Sequence, residues 1–218
     1  MSANINPNSV TTILTDLTDV LIGGVIGLDD VIESKYGKNA SINFSNRFAE
    51  NYPYFNDLMR VAITESMYWN IYSESQFRQN TLPVSYIKEL FALNMQRTVP
   101  GTLDLYRKLV LPNRQRPSYF IVSDHIKEYS DLVKKWHPDI FEWADGVFWS
   151  YDYGGIKQDE DFFIGFLRKN NFNKNNVIFI DDSIRNINNA EKAGILSFHF
   201  SDSKDLKGKL AKYGFFFN

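Results

Sequence analysis

The sequence predicts an α/β fold, a parallel sheet sandwiched by helices and interrupted near its start by an all-helical insert. Two observations carry this. The C-terminal half alternates short β-branched and aromatic runs with helical patterns, the signature of parallel strands joined by crossover helices. An isolated run of the same kind, "TTILT" at 11–15, stands far upstream, separated from the rest by a long stretch of helical texture.

The elements follow in order. "TTILT" is a candidate buried strand. Between residues 25 and 97 the segments "DDVIESKYG", "YPYFNDLMRVAI", "ESMYWNIYSESQF" and "VSYIKELFALNMQR" place apolar residues at helical spacing, and strand alternation is absent. Pro53 and Pro83 are expected to open helices there and Gly37 to end one. "TVPGT" at 98–102 marks the return, with Pro100 and Gly101 opening a helix. Four strands are then expected at "SYFIV" (118–122), "GVFWS" (146–150), "NVIFI" (176–180) and "LSFHF" (196–200), with helices over about 125–136, 159–170 and 184–193. The asparagine-rich "KNNFNKNN" (169–176) is short enough to be a turn. The expected units are residues 1–24 with 98–218 as the α/β core, and 25–97 as the insert.

Composition narrows the class. A chain of 218 residues, 44% hydrophobic and 16% aromatic, buries a sizeable core. With 24 Lys+Arg against 26 Asp+Glu, nothing favours a nucleic-acid partner. The apolar run over 13–28 is shorter than the roughly 20 residues a bilayer requires, and Asp16 and Asp19 interrupt it. It is not a span, and no membrane association is expected. "MSANINPN" lacks the positive start of a secretory signal, so a cytoplasmic protein is expected. With no cysteine, disulfides and thiolate chemistry are excluded.

In an open parallel sheet, ligands bind beyond the carboxyl ends of the strands. Asp16 directly follows "TTILT", Ser123 follows "SYFIV", and Asp181 and Asp182 follow "NVIFI". Lys157 lies in "YDYGGIKQDED", a few residues past "GVFWS". Phosphoryl transfer needs an in-line nucleophile, a hard cation, and donors to the remaining phosphoryl oxygens. An aspartate can be the nucleophile, and Mg2+ is held by few carboxylates plus waters and substrate oxygens. Asp16 and Asp182 suit the ion, while Ser123 and Lys157 suit the phosphoryl oxygens.

With those residues in view, the sequence resembles the haloacid dehalogenase-like (HAD) hydrolases, whose core is a Rossmann-like sheet. The matching stretches are "ILTDLTDVLI", "FIVSDH", "GGIKQDEDFF" and "VIFIDDSIRNINNAEKAGI", in order and at compatible spacing. It looks closest to members with a helical cap after the first motif, such as bacterial glucose-1-phosphate phosphatases. The resemblance implies an Mg2+-dependent phosphatase acting on a small phosphorylated metabolite, a sugar phosphate or a nucleotide, through an aspartyl phosphate. It further implies that Asp16 is the nucleophile and Asp182 a direct metal ligand, with Asp181 assisting through water and the Thr18 carbonyl coordinating. Ser123, Asp124 and Lys157 would bind the transferring phosphate, Lys157 also offsetting the carboxylates. Asn186 would support the acidic loop and Gly194 form a turn.

Two positions depart from the pattern. Phosphatases of this kind usually carry a second aspartate two residues after the nucleophile, as acid and base for the leaving oxygen and the water. Here that residue is Thr18, and its loss costs typically around 10²–10⁴ in rate. Asp19 is the nearest substitute, although adjacent side chains on an extended segment face opposite ways. Gln158 replaces a usual proline, a change expected to affect only loop rigidity. Two further functions stay open: a degenerate binding protein with little turnover, and a haloacid dehalogenase, against which the acidic pair argues.

Each residue alone has an ordinary explanation. Asp182 or Ser183, and Ser123 or Asp124, are good helix caps, and Lys157 is an ordinary solvated lysine. His125 and His137 flank a helix and His199 belongs to a strand, the alternative being that His125, next to the second motif, touches substrate; Tyr68, Trp69 and Tyr72 suit a helical core rather than a substrate platform. Arg60, Arg78 and Arg97 are candidates to reach a substrate's polar end, though a solvated helix face accounts for them as well.

Overall fold

The computed structural model describes residues 9–25, 27–74, 82–111 and 115–218. The leader at residues 1–8 and Arg78 lie outside them. After β1 (Thr12–Thr15) come four helices: α1 (Leu28–Tyr36), α2 (Lys38–Met59), α3 (Glu65–Ser73) and α4 (Val84–Met95). Next come α5 (Thr102–Lys108), the short β2 (Leu109–Val110), β3 (Ser118–Ser123), α6 (Lys127–Trp136) and α7 (Pro138–Trp143). The chain continues through β4 (Gly146–Trp149), α8 (Ser150–Tyr153), α9 (Phe162–Lys169) and a 3₁₀ turn at Lys174–Asn176. It ends with β5 (Val177–Asp181), α10 (Ile184–Lys192), β6 (Leu196–His199), α11 (Ser203–Lys212) and β7 (Phe216–Phe217).

The main sheet has the order β4-β3-β1-β5-β6 with every pair parallel. β1 is central, pairing Thr15 with Ile121 on one side and Ile180 on the other. The chain builds outward to β4 and then returns to β5 on the opposite side of β1, so order reverses at β1. That reversal opens a crevice beyond the carboxyl ends of β1, β3 and β5.

Alternation along the strands supplies two apolar faces, as a sheet buried on both sides requires. Ile13, Ile121, Ile178 and Ile180 pack on one face with Tyr106 of α5, Val133 of α6 and Leu206 of α11. Leu14, Val122, Val177 and Phe179 pack on the other with Phe163 and Phe166 of α9 and Ile187 of α10. β2 and β7 form a separate antiparallel pair. No helix among the described residues is long and apolar enough to cross a membrane.

Three sequence expectations need correction. Pro53 does not open a helix but sits inside α2. Proline removes one helical N–H, and here the helix continues because the rings around it pack: Phe48 lies 5.2 Å from Phe55 and 5.9 Å from Tyr52. The strand "GVFWS" stops at Trp149, Ser150 already belonging to α8, and the helix expected from 159 starts at Phe162. α7, α11 and the β2–β7 pair were not anticipated. Gly37 does end α1, at φ 87°, and Pro83 does precede α4.

Candidate active site

Asp16 leaves β1 with its amide still in the sheet, donating to Ile180 O at 2.9 Å. Its carboxylate Oδ1 accepts from the Leu17 N–H at 2.7 Å and meets Lys157 Nζ at 2.8 Å. The following loop is pinned by its own apolar residues, Leu17, Val20, Leu21 and Ile22 all being buried. Asp19 turns the chain at φ 60°, a conformation aspartate tolerates. Its two carboxylate oxygens accept from the N–H groups of Gly24, at 2.8 Å, and Val25, at 3.0 Å. The fit leaves no room for a side chain: a Cβ on Gly24 would lie 2.4 Å from Asp19 Oδ2. The two charges in this apolar run therefore differ in kind, one standing at the rim of the sheet and the other holding a loop.

Lys157 is buried to 1% exposure between Asp16 and Asp181, with Asp181 Oδ2 at 2.7 Å. Asp181 ends β5 with no exposure, and Oδ1 accepts from Ser183 N–H at 2.8 Å and from Asn186 Nδ2 at 3.0 Å. Asn189 holds the lysine loop from the other side, its Nδ2 donating to the carbonyls of Lys157 (3.2 Å) and Gln158 (2.9 Å). His199 Nε2 donates to the Asp182 carbonyl at 2.9 Å, fixing the acidic loop to β6. One carboxylate oxygen from each of Asp16, Asp181 and Asp182 lies within 4.8 Å of the others.

The electrostatics follow from that crowding. Desolvation pushes the Asp16 carboxyl well above the usual range, Asp181 and Asp182 pushing the same way and Lys157 pulling it down. Asp182 is raised to about 7 by desolvation and by Asp181. Burial works against the Lys157 charge, but Asp16, Asp181 and Asp124 more than offset it and hold the ammonium above the ordinary lysine range. The cluster is short of positive charge, the condition under which hard oxygen donors take up a divalent cation.

At the end of β3, Ser123 is 1% exposed and its Oγ has no hydrogen-bond partner. Asp124 directs its carboxylate to the lysine loop, both oxygens accepting from the Lys157 N–H at 3.1 Å. Desolvation raises it to about 6 against the pull of Lys157. The helix-cap explanation fails for this whole group. The residue preceding α6 is Ile126 and that preceding α10 is Ser183, and neither makes a side-chain cap bond.

Asp16, Thr18, Asp124, Lys157 and Asp182 open onto one cavity of about 460 Å³. Its opposite wall comes from the inserted helices: Phe48, Tyr52, Phe55 and Met59 of α2, with Phe91 and Met95 of α4. Ser123 is buried and does not line the cavity.

No protein-family model matches the chain, and no curated protein matches it. Solved structures do. A predicted HAD-like family hydrolase from Porphyromonas gingivalis superposes with a TM-score of 0.67 at 16% identity, over 94% of this chain and 97% of that one. A HAD family enzyme from Bacteroides thetaiotaomicron, solved with magnesium and inorganic phosphate, gives 0.59 at 18% identity over 88% and 95%. The L-2-haloacid dehalogenase from Xanthobacter autotrophicus with chloropropionic acid covalently bound gives 0.60 at 11% identity over 93% and 83%. The chain has the haloacid dehalogenase-like fold.

On this haloacid dehalogenase-like fold the remaining sequence candidates fall as follows. Arg60 bonds Asp159 and Asp57 and does not line the cavity. Arg97 lines a second cavity of about 390 Å³, which shares Asp19 and Asp182 with the first. Tyr68, Trp69 and Tyr72 are buried within the helices. Gly194 turns at φ 84° before β6.

Sequence reasoning missed one feature and raised a second without deciding it. Gln158, expected to matter only for rigidity, lines the cavity and ties the lysine loop to α2 and α10: its Nε2 donates to Tyr52 Oη at 2.6 Å and its Oε1 accepts from Arg185 at 2.8 Å. A polar residue in place of a usual proline was the available signal. His125 is 2% exposed and lines the cavity. Its place beside Asp124, next to the second motif, was the signal.

Proposed function

We propose that this chain is a magnesium-dependent phosphomonoesterase of the HAD hydrolase type, working on a small phosphorylated metabolite through a phosphoenzyme on Asp16. The observation that carries the reading is the convergence of Asp16, Asp181 and Asp182 around the buried Lys157. The residues fit the ion: the donors are carboxylate oxygens, and the Thr18 carbonyl lies outside the backbone bonds Asp19 N to Ile22 O and Ile22 N to Leu17 O. Mg2+ held by Asp16, Asp182 and the Thr18 carbonyl would spread the charge of the phosphoryl oxygens.

The protein groups do the rest. Asp16 Oδ1 is occupied by Leu17 N–H and Lys157, which leaves Oδ2 as the attacking atom. The Oδ2–P bond forms as the bond from phosphorus to the leaving oxygen breaks, that oxygen taking the electron pair and then a proton from water. Ser123 Oγ, buried and unpartnered, supplies a hydroxyl donor to a phosphoryl oxygen. The Asp124 carboxylate is an acceptor already bonded to the lysine loop, so its contribution to phosphate is its backbone N–H. Water then attacks the phosphoenzyme and releases phosphate.

The test is Mg2+-dependent phosphate release from a panel of phosphomonoesters, with loss of all release in Asp16→Asn. Normal magnesium binding with no turnover on a broad panel counts against the reading.

A second reading has its own observation. Thr18 cannot act as the acid and base, and the Asp19 carboxylate is bonded to the Gly24 and Val25 amides. That arrangement favours a slow phosphoenzyme or a binding protein. Tight binding of beryllofluoride with magnesium, together with negligible turnover, would decide for it. Halide release from haloacids without metal would decide for a dehalogenase instead.

A further inference from the structure

The reaction leaves unexplained what the cavity does with the other half of the substrate. Its polar groups lie on the sheet side, and the inserted helices contribute no charged residue to the wall among the described residues. Three phenyl rings and two thioethers face the carboxylates there. The single hydroxyl, Tyr52 Oη, is bonded to Gln158. Two backbone acceptors of the lining residues are also engaged: the Met59 carbonyl accepts from Ser150 Oγ at 2.7 Å and the Met95 carbonyl from His137 Nε2 at 2.6 Å. A polyhydroxylated leaving group entering this wall would lose water without gaining partners.

Two residues with an unpartnered buried acceptor border the cavity, His125 at Nε2 and Asn186 at Oδ1, and Asn186 belongs to the carboxylate cluster through its Nδ2 bonds to Asp181. His125 Nδ1 lies 2.9 Å from the Ile126 carbonyl, an acceptor only, so Nδ1 carries the proton and Nε2 presents a lone pair. Nε2 is buried and has no partner in the structure. The ring is held edge to face against Trp149, 5.2 Å between centroids, so it cannot readily turn away. Burial pushes the imidazole down to about 4, and it stays a neutral acceptor at physiological pH.

Resting on the phosphatase reading, we infer that the substrate is a phosphomonoester with a one- or two-ring aromatic leaving group, whose single hydroxyl or N–H donor bonds His125 Nε2. The rings lie against the α2 and α4 side chains, and the phosphate reaches Asp16. A cavity of about 460 Å³ suits that size, toward the lower end of roughly 300–1,000 Å³ for ligand sites. Hexose phosphates are disfavoured by the wall. His125 is then a specificity-determining residue that touches substrate and takes no part in phosphoryl transfer.

The test separates binding from turnover. Calorimetry of the magnesium-loaded protein compares benzylphosphonate, its 3- and 4-hydroxy and 3- and 4-methoxy derivatives, and a glucose-derived phosphonate. The better hydroxy compound should bind at least tenfold tighter than its methoxy partner and than the sugar phosphonate. In His125→Leu the hydroxy-to-methoxy ratio should fall to within about threefold of unity, the loss expected when a site's one polar contact is removed. If that variant does not fold, the wild-type pair alone decides. A wild-type ratio near one, or a sugar phosphonate binding as tightly as the aromatic ones, overturns the inference. Phosphate release from the matching esters runs in parallel and reads the phosphatase assignment. Aromatic preference without turnover upholds the His125 subsite and defeats the phosphatase assignment, turnover with sugar preference does the reverse, and absence of both phosphonate binding and turnover defeats both.

Discussion

Replacing Lys157 by methionine keeps the length and apolar body of the side chain and removes the ammonium that contacts Asp16 and Asp181. The lysine is 1% exposed and its two partners 7% and 0%, so solvent screens little of the loss. Deleting one partner of a buried ion pair costs about 3–5 kcal/mol, because the remaining charge is left uncompensated. For a chain of 218 residues, each kcal/mol shifts Tm by about 2–4 °C, so the metal-free variant should melt on the order of 6–20 °C below wild type at pH 8. Scanning calorimetry in chelator measures this directly. The deficit should shrink toward pH 5, because the elevated carboxyls, Asp124 at about 6 and Asp182 at about 7, take up protons as the pH falls. Millimolar magnesium should restore more stability to the variant than to wild type. A deficit under about 2 °C at pH 8, or one that widens on acidification, would refute the account of Lys157 as the counter-charge of this cluster.

Three further outcomes are expected. Thr18→Asp should raise steady-state phosphate release, by up to roughly 10²–10⁴-fold; an unchanged rate would mean that leaving-group protonation and water activation do not limit turnover. Asp19→Ala leaves the Gly24 and Val25 amides without the carboxylate, at about 1–3 kcal/mol for each group left unsatisfied; urea titration should register the loss. Asp124 has a folded value of about 6 against an ordinary 3.8, so its protonation favours the fold below about pH 4 and that benefit disappears as pH rises through 6. Asp124→Asn should therefore gain on wild type between pH 4 and pH 7, on the order of 1–3 kcal/mol, and a constant difference across that range would count against it.

What could be read from the chain depended on how local the controlling physics is. "TTILT" and "NVIFI" declare themselves as strands because β-branched runs bounded by polar residues have few alternatives, and Asp16 and Asp181 follow at their ends. Pro53 misled because a local rule, that proline opens helices, was overridden by ring packing across α2. Asp19 was the nearest substitute for the acid and base missing at Thr18, and only its bonds to the Gly24 and Val25 amides, which no local pattern reveals, show that its carboxylate is engaged elsewhere. His125 and Gln158 were underrated for the same reason. Their neighbours in space, Ile126 O and Trp149 for one, Tyr52 and Arg185 for the other, lie on elements whose approach no periodicity reveals.

Four of the wall residues, at positions 48, 52, 55 and 59, recur along a single stripe of α2, about 16 Å from end to end at 1.5 Å per residue. The acids and the lysine that face them come from the strand rim and its loops. On the proposed phosphatase reading, the acids sit on the strand rim while much of the surface that would meet the leaving group belongs to one helical face, His125 at the rim being the exception. Rewriting this face would exchange one alcohol for another without moving the carboxylates.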